Sequence, residues 1–429
     1  MDALATWFER FLTRRWREIV ALVVLYGAFA YLRHLGLSVD LAIFALLGLL
    51  GILLLVHPIQ AAARRHFQRI RWSLRFEHAL AHDSTLVGHL PLVLGVDTGQ
   101  SSTTLHVQLQ AGTTVDDLEK NAEHIAASLR AGAVRVVRNP ADASRVDIKV
   151  IVGSPLSGRV LPWLGDFDVR TDAFARLSFG VGEEGDIIRE TLYEHNMFVA
   201  GEPAAGKTSL LRNIIADVVR DPMSKVYISD AKGVDFGQFR PLCAGYAGPD
   251  PDEFLNVATQ VRDKMMARYA WLAASGLRKL PLNSSKGLVL FVADKIGATL
   301  TGKQGKEAAE LVRDILQRGR AAGVVTVLST QRPGSDTFPT SIRDLVGFRI
   351  AFRTPTRDAS DIALGAGWAS QGFDASKIAI ADRGVGYFLG EGGLPRLFRS
   401  FYMDDQTEAA VIASALKLHA ECDQEADHA

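Results

Sequence analysis

Residues 197–220 read MFVAGEPAAGKTSLLRNIIADVVR, and this stretch decides the fold. Met197–Ala200 is a short uncharged run of strand-forming character, and Thr208–Arg220 repeats apolar residues at helical spacing. Between them Gly201, Glu202, Pro203, Ala204, Ala205, Gly206, Lys207 and Thr208 fit G-x-x-x-x-G-K-[ST]. In a strand–loop–helix context the pattern has a physical meaning. The glycines let the chain curl so that backbone N–H groups face phosphates, and the helix that follows adds its positive end. Lys207 would reach the β- and γ-phosphates, and the Thr208 hydroxyl would be a ligand of Mg²⁺. A plain glycine-rich turn is the alternative.

Working outward, Lys225–Ser229, Leu288–Ala293 and Val324–Ser329 are near-continuous apolar runs separated by helical patterns such as residues 305–323. Strands buried on both faces look like this, so the class is α/β with a mainly parallel sheet over residues 161–402. Asp294 ends one of these runs, where a carboxylate holds Mg²⁺ or its water from the side opposite Thr208. It could also be a helix cap or a turn residue. Val324–Ser329 delivers Gln331 to the same sheet edge, where ligands of open α/β sheets bind. Gln331 is a candidate to sense the γ-phosphate or orient water, or else a polar loop residue.

Upstream, residues 96–160 read as a small α/β domain: a strand over Leu105–Gln110, a helix over Thr114–Leu129, and strands at Val134–Val137 and Val146–Val152. No catalytic constellation is visible in it. Residues 61–95 read as a basic linker, and residues 403–429 as a short helix followed by a disordered acidic tail. At the start, Ile19–Leu32 and Leu41–Val56 are uncharged, and arginines flank the pair at 10, 14, 15 and 17 and at 64, 65, 69, 71 and 75. Residues 1–60 therefore read as a two-helix membrane hairpin with both ends cytoplasmic. A buried helical hairpin of a soluble domain is the other reading. Over 429 residues, 48 basic side chains balance 48 acidic ones, so a nucleic-acid surface would have to be local. Two distant cysteines argue against a disulfide framework or a zinc site.

Taken in order, Gly201–Thr208, Ser229-Asp-Ala-Lys232, the Arg268-Tyr269 pair, Arg320–Gly323, Leu328–Pro333 and Arg349–Arg353 resemble the motor core of the FtsK/SpoIIIE family of DNA translocases. The likeness covers most of residues 100–402, and the segments Asp361–Ile378 and Gly384–Tyr402 are similar to actinobacterial conjugation translocases, which move double-stranded DNA between cells. The resemblance implies a RecA-like P-loop motor over residues 161–402, ATP and Mg²⁺ as cofactors, and double-stranded DNA as partner. It also implies a homo-hexamer at the bacterial cell membrane, with the motor on the cytoplasmic side. It further implies an arginine that completes a neighbour's site: Arg349 matches that position best, while Arg353 and Arg357 stay open, and each could instead be a surface ion-pair partner. Arg278 and Lys279 are pore candidates. The roughly 27 residues after Tyr402 are too few for a winged-helix reader of oriented DNA.

One position departs from the pattern. Members of this family carry Asp-Glu where this chain has Asp294-Lys295, and the glutamate is expected to polarise the attacking water. A protonated lysine has no acceptor, so ATP binding with impaired hydrolysis is the expectation. Three explanations compete: a degenerate subunit that binds without turning over, another carboxylate such as Glu307 or Glu310 in the glutamate's place, or a lysine that points away into solvent. Chromosome segregation, a nucleotide-binding scaffold and a protein-exporting ATPase are the rival functions.

Overall fold

The computed structural model describes residues 66–427 except 81–89, 100, 101, 140, 153–155, 157, 159, 168, 184, 283, 332 and 335–338. The two apolar runs read as a membrane hairpin lie outside the described residues. Among those described, no helix is long and apolar enough to cross a membrane.

The first sheet has four antiparallel strands in the order β1-β2-β4-β3: β1 (Leu92–Thr98), β2 (Ser102–Gln108), β3 (Ala133–Arg138) and β4 (Arg145–Ile151). Leu105, Ile148 and Val150 point to the buried face, against Leu118 and Ile125 of the two helices α2 (Val115–Lys120) and α3 (Ala122–Leu129). The single helix expected over 114–129 is broken at Asn121, which caps the first segment. Its start is as expected: Thr114 accepts from the Asp117 amide, and the Asp117 carboxylate accepts from the Thr114 amide, a reciprocal cap of two otherwise orphan donors. The stretch expected to be a linker departs further. Residues 66–80 form a helix, α1, and Phe76, Ala79 and Leu80 are buried in the same core.

The second sheet has ten strands in the order β6-β5-β14-β13-β12-β7-β11-β10-β8-β9. Its parallel half runs β12 (Phe348–Phe352), β7 (Met197–Ala200), β11 (Val324–Thr330), β10 (Val289–Asp294), β8 (Lys225–Asp230) and β9 (Cys243–Ala247). The strands β13 (Val385–Leu389), β14 (Arg396–Ser400), β5 (Arg176–Gly182) and β6 (Ile187–Thr191) continue it antiparallel. Strands β7, β10 and β11 are buried along their whole length because helices cover both faces. Alternate side chains feed opposite cores. Val292 and Val327 meet Leu210 and Ile214 of α4 (Lys207–Val219), whereas Phe291 and Leu328 meet Val312 and Ile315 of α7 (Gly305–Arg318). Between those helices in sequence come α5 (Pro251–Ala274) and the short α6 (Ile296–Thr301); α8 (Thr340–Arg343) and α9 (Arg357–Leu364) follow. Arg268 of α5 is buried and donates to the carbonyls of Ala322, Gly323, Lys286 and Gly287, so it ties together the loops that enter β10 and β11.

The end of the chain differs from the expected short helix and disordered tail. Asp405–Asp427 is one helix, α10. It packs back on the ten-stranded domain with Val411 and Ala415 buried, Glu408 ion-paired to Arg212 at 3.0 Å and the His419 ring donating to the Val219 carbonyl at 2.9 Å.

Candidate functional site at the carboxyl ends of the parallel strands

The loop from Gly201 to Thr208 connects buried β7 to α4 and curls as the sequence pattern requires. Gly201 and Gly206 take φ of 153° and 124°, and Ala204 takes the left-handed value of 59°. At Gly206 a Cβ would come within 2.7 Å of the Gly384 Cα, so no other side chain fits between the loop and the turn entering β13. Two backbone hydrogen bonds brace the loop from neighbouring elements: Gly384 N donates to the Ala205 carbonyl at 2.9 Å, and Glu202 N to the Arg353 carbonyl at 2.8 Å. Arg353 also donates through Nε to the Glu202 carboxylate at 2.7 Å. Pro203 and Ala204 are exposed at the loop's tip.

Lys207 is buried, with Nζ donating to the carbonyls of Gly201 at 2.6 Å and Glu202 at 2.8 Å. Burial pulls its ammonium down to about 8, although the nearby Asp294 charge works against that. Thr208 is half-buried in the first turn of α4. Across the sheet edge, Asp294 ends β10 and Ser329 is the penultimate residue of the adjacent β11, and the Ser329 hydroxyl donates to Asp294 Oδ1. Thr330 is in register with Ala200, which places Gln331, also half-buried, next to the start of the phosphate loop.

Lys295 does not point into solvent. It takes φ of 53° and ψ of 36° at the start of α6, and its ammonium lies 2.6 Å from Asp294 Oδ2 and 2.5 Å from Asp235 Oδ2. Its side chain is only 16% exposed. Burial alone would lower its pKa, but the hydrogen bonds to Asp235 and Asp294 outweigh this and raise it, so the group is a cation. Asp230 completes the cluster: one carboxylate oxygen of each of Asp230, Asp235 and Asp294 lies within 4.8 Å of the others. The Asp230 oxygens are already taken by the Lys232 and Phe236 amides and the Tyr246 hydroxyl.

A divalent ion fits this arrangement poorly. Both Asp294 oxygens are engaged, one by a hydroxyl and one by an ammonium. Two unit charges 4 Å apart repel by about 4 kcal/mol at an effective dielectric of 20, and a divalent ion beside Lys295 would double that. Thr208 closes the loop and Asp294 ends β10, two strands over from β7, where it is an ion-pair partner of Lys295.

The remaining candidates fall in different places. Arg349 stands at the amino end of β12, opposite Phe198, and donates from Nη2 to the Arg343 carbonyl at 2.9 Å; burial lowers its pKa. It is therefore at the far end of the strand from the phosphate loop of its own chain, whereas Arg353 touches that loop. Glu307 and Glu310 are exposed on α7. Lys279 is ion-paired to Glu194 on an exposed surface. Asp235 and Ser329 escaped the sequence reading; their only signal was position, one just after the Ser229–Lys232 motif and the other inside the Leu328–Pro333 motif.

The fold and the loop define a P-loop α/β protein with an extended, mainly parallel sheet. No protein-family model matches the chain. It is 24% identical over 362 residues to DNA translocase FtsK of Corynebacterium efficiens, covering 77% of this chain and 37% of that protein. With the Mycobacterium tuberculosis H37Rv protein of the same name it shares 25% over 354 residues, 75% of this chain and 41% of the other. With that of Streptomyces avermitilis it shares 26% over 355 residues, 74% and 37%. The chain is thus a relative of the proteins named DNA translocase FtsK, and it spans about two fifths of their length or less. Among solved structures, the pCW3 conjugation coupling protein TcpA, in its monomer form with ATPgS, superposes with a TM-score of 0.54 at 19% identity over 81% of this chain and 99% of that one. ATPases 2 and 3 of EssC from Geobacillus thermodenitrificans superpose with a TM-score of 0.50 at 13% identity over 61% and 51%. These two likenesses are of fold.

Proposed function

We propose that the chain is an ATP-binding translocase of double-stranded DNA, working as a membrane-anchored homo-hexamer in conjugative transfer, with a hydrolytic step slowed by Lys295. The observation that carries the nucleotide reading is the loop itself: a curled Gly201–Thr208 with Lys207 inside it, opening onto α4, faced by Asp294. Curated relatives are named DNA translocases, and the coupling protein that shares the fold was solved with an ATP analogue. In this reading the loop amides and Lys207 hold the phosphates, the Thr208 hydroxyl faces them from the first turn of α4, and Gln331 orients water. Arg349, which does not reach its own loop, is assigned to a neighbouring subunit's site.

Slow hydrolysis follows from the Lys295 contacts. A cationic lysine clamped by two carboxylates cannot accept a proton from water, and general-base assistance contributes roughly 10²- to 10⁴-fold. Support for the anchor is local: Phe67, Ile70 and Leu74 of α1 are exposed apolar side chains beside Arg69 and Arg75, directly after the two apolar runs. The rival reading, a scaffold that binds nucleotide without hydrolysing it, is favoured by the same lysine clamp.

The test is steady-state ATP hydrolysis by the full chain with and without duplex DNA, beside Lys207→Ala and Lys295→Glu. Slow DNA-stimulated turnover, abolished in Lys207→Ala and raised at least about tenfold in Lys295→Glu, is expected. Equal turnover in the unaltered chain and Lys295→Glu would remove the impairment. No DNA stimulation in either would favour the scaffold.

A further inference from the structure

We infer that the Lys295 ammonium is a tethered cation that takes the place of a divalent ion between Asp294 and Asp235, so that this site holds a nucleoside triphosphate without needing Mg²⁺. The inference rests on the nucleotide reading above and specifies its cation.

Three features converge on it. The ammonium is held by carboxylates from two separate elements, the end of β10 and the loop after β8, at 2.6 and 2.5 Å. A lysine merely tolerated at this position would extend past the carboxylates toward solvent; this one is drawn back between them. The charge balance is the second feature. Lys207, Lys232 and Lys295 balance Asp230, Asp235 and Asp294: Lys232 lies 3.9 Å from Asp235 Oδ2, Lys295 bridges Asp235 and Asp294, and Asp230 is bound by two amides and a phenol. Replacing Lys295 by glutamate would shift the site by two charge units, which is the charge of one divalent ion. The third feature is the backbone. Lys295 is not glycine, asparagine or aspartate, yet it sits in the left-handed region, a conformation disfavoured for such a residue and maintained here with its side chain folded onto the cluster. A polyphosphate entering the loop would therefore meet a fixed ammonium beside Lys207 where it would otherwise meet two bare carboxylates. Charge-assisted contacts of this kind are short and strong, and Lys, as a point charge, suits phosphate.

Two measurements on the full chain test this. Titration with a fluorescent ATP analogue is done in EDTA and in Mg²⁺, and manganous ion binding is followed by electron paramagnetic resonance without nucleotide. For the unaltered chain, affinity in EDTA should stay within about threefold of that in Mg²⁺, while Lys295→Ala and Lys295→Glu should lose about tenfold or more in EDTA. Without nucleotide, the unaltered chain should take up no Mn²⁺ at this cluster. Lys295→Ala should gain one ion per chain, and a second change, Asp235→Asn, should remove it. Lys295→Met controls for lost packing and should behave as Lys295→Ala does. A requirement for Mg²⁺ in the unaltered chain as strong as in the variants, or Mn²⁺ bound equally by all of them, overturns the inference. If the unaltered chain binds no nucleotide but the Mn²⁺ pattern holds, the tethered cation stands and the nucleotide reading falls.

Discussion

Lys295 and Arg353 show how single residues set the chemistry of this sheet edge. Lys207, Thr208 and Asp294 were legible because each belongs to a local pattern, a strand followed by a loop of fixed spacing or a strand ending in a carboxylate. The partners of these residues were not legible. Asp235 is 60 residues from Lys295, and Glu202 is 151 from Arg353, so no short-range signal links either pair. The Arg353–Glu202 contact has a consequence of its own. Glu202 sits in the phosphate loop, and without Arg353 an unpaired carboxylate would face an anionic ligand. Arg353→Ala is therefore expected to weaken ATP-analogue binding about tenfold, with Arg353→Lys recovering part of it. Binding unchanged in Arg353→Ala would show that water already screens Glu202.

At the scale of elements, periodicity found the buried strands and α4 because both-face burial leaves little room for polar residues. It missed β1, in which the register shifts between Val93 and Gly95, and it extended one helix across Asn121. The helix at 66–80 and the full length of α10 went unread because their exposed faces mix apolar with charged residues, Phe67, Ile70 and Leu74 with Arg69 and Arg75 in the first and Ala413 and Leu416 with Lys417 in the second, which blurs the helical period. The four-stranded sheet carries a cross-strand device invisible to pattern reading. His106 on β2 bonds Asp147 on β4 through Nδ1 at 2.7 Å and Asp97 on β1 through Nε2 at 2.9 Å. The hydrogen bonds to Asp97 and then Asp147 raise its pKa, against the opposing effect of burial. The folded sheet thus binds this proton more tightly than the unfolded chain does. Its stabilisation is complete below the ordinary histidine value of about 6.5 and is lost as pH rises through the raised folded value. Denaturant unfolding of the unaltered chain should show that loss across the near-neutral range, and His106→Gln should lack it. An identical pH slope in both would exclude the triad as its source.

For the whole molecule, the four-stranded and ten-stranded sheets are joined through a buried arginine. Arg135 of β3 donates from Nη1 to Glu183 at 2.9 and 3.2 Å and from Nη2 to the Tyr387 hydroxyl at 3.3 Å, with its guanidinium over the Phe373 and Tyr387 rings. Lys149 of β4 adds a second cation to Glu183 at 2.7 Å. Removing one partner of a buried pair destabilises because the other charge stays behind unpaired. Arg135→Ala should weaken the junction by about 3 kcal/mol and split the calorimetric unfolding of the chain into two transitions. One transition at the original temperature would mean that other contacts hold the units together.

By itself the sequence determined the α/β class, the parallel strands, the curled Gly201–Thr208 loop and the kinship with proteins named DNA translocase, because these depend on periodicity and on contiguous residues that are read without knowing what lies across the fold. Only the tertiary structure decided that Lys295 turns inward onto Asp294 and Asp235, that Arg353 rather than Arg349 reaches the loop of its own chain, and that α1 and α10 pack onto their neighbours. The physical reason is common to all three. Ion pairs and helix docking join residues far apart in the chain, and which partners meet is set by the strand order of the sheet.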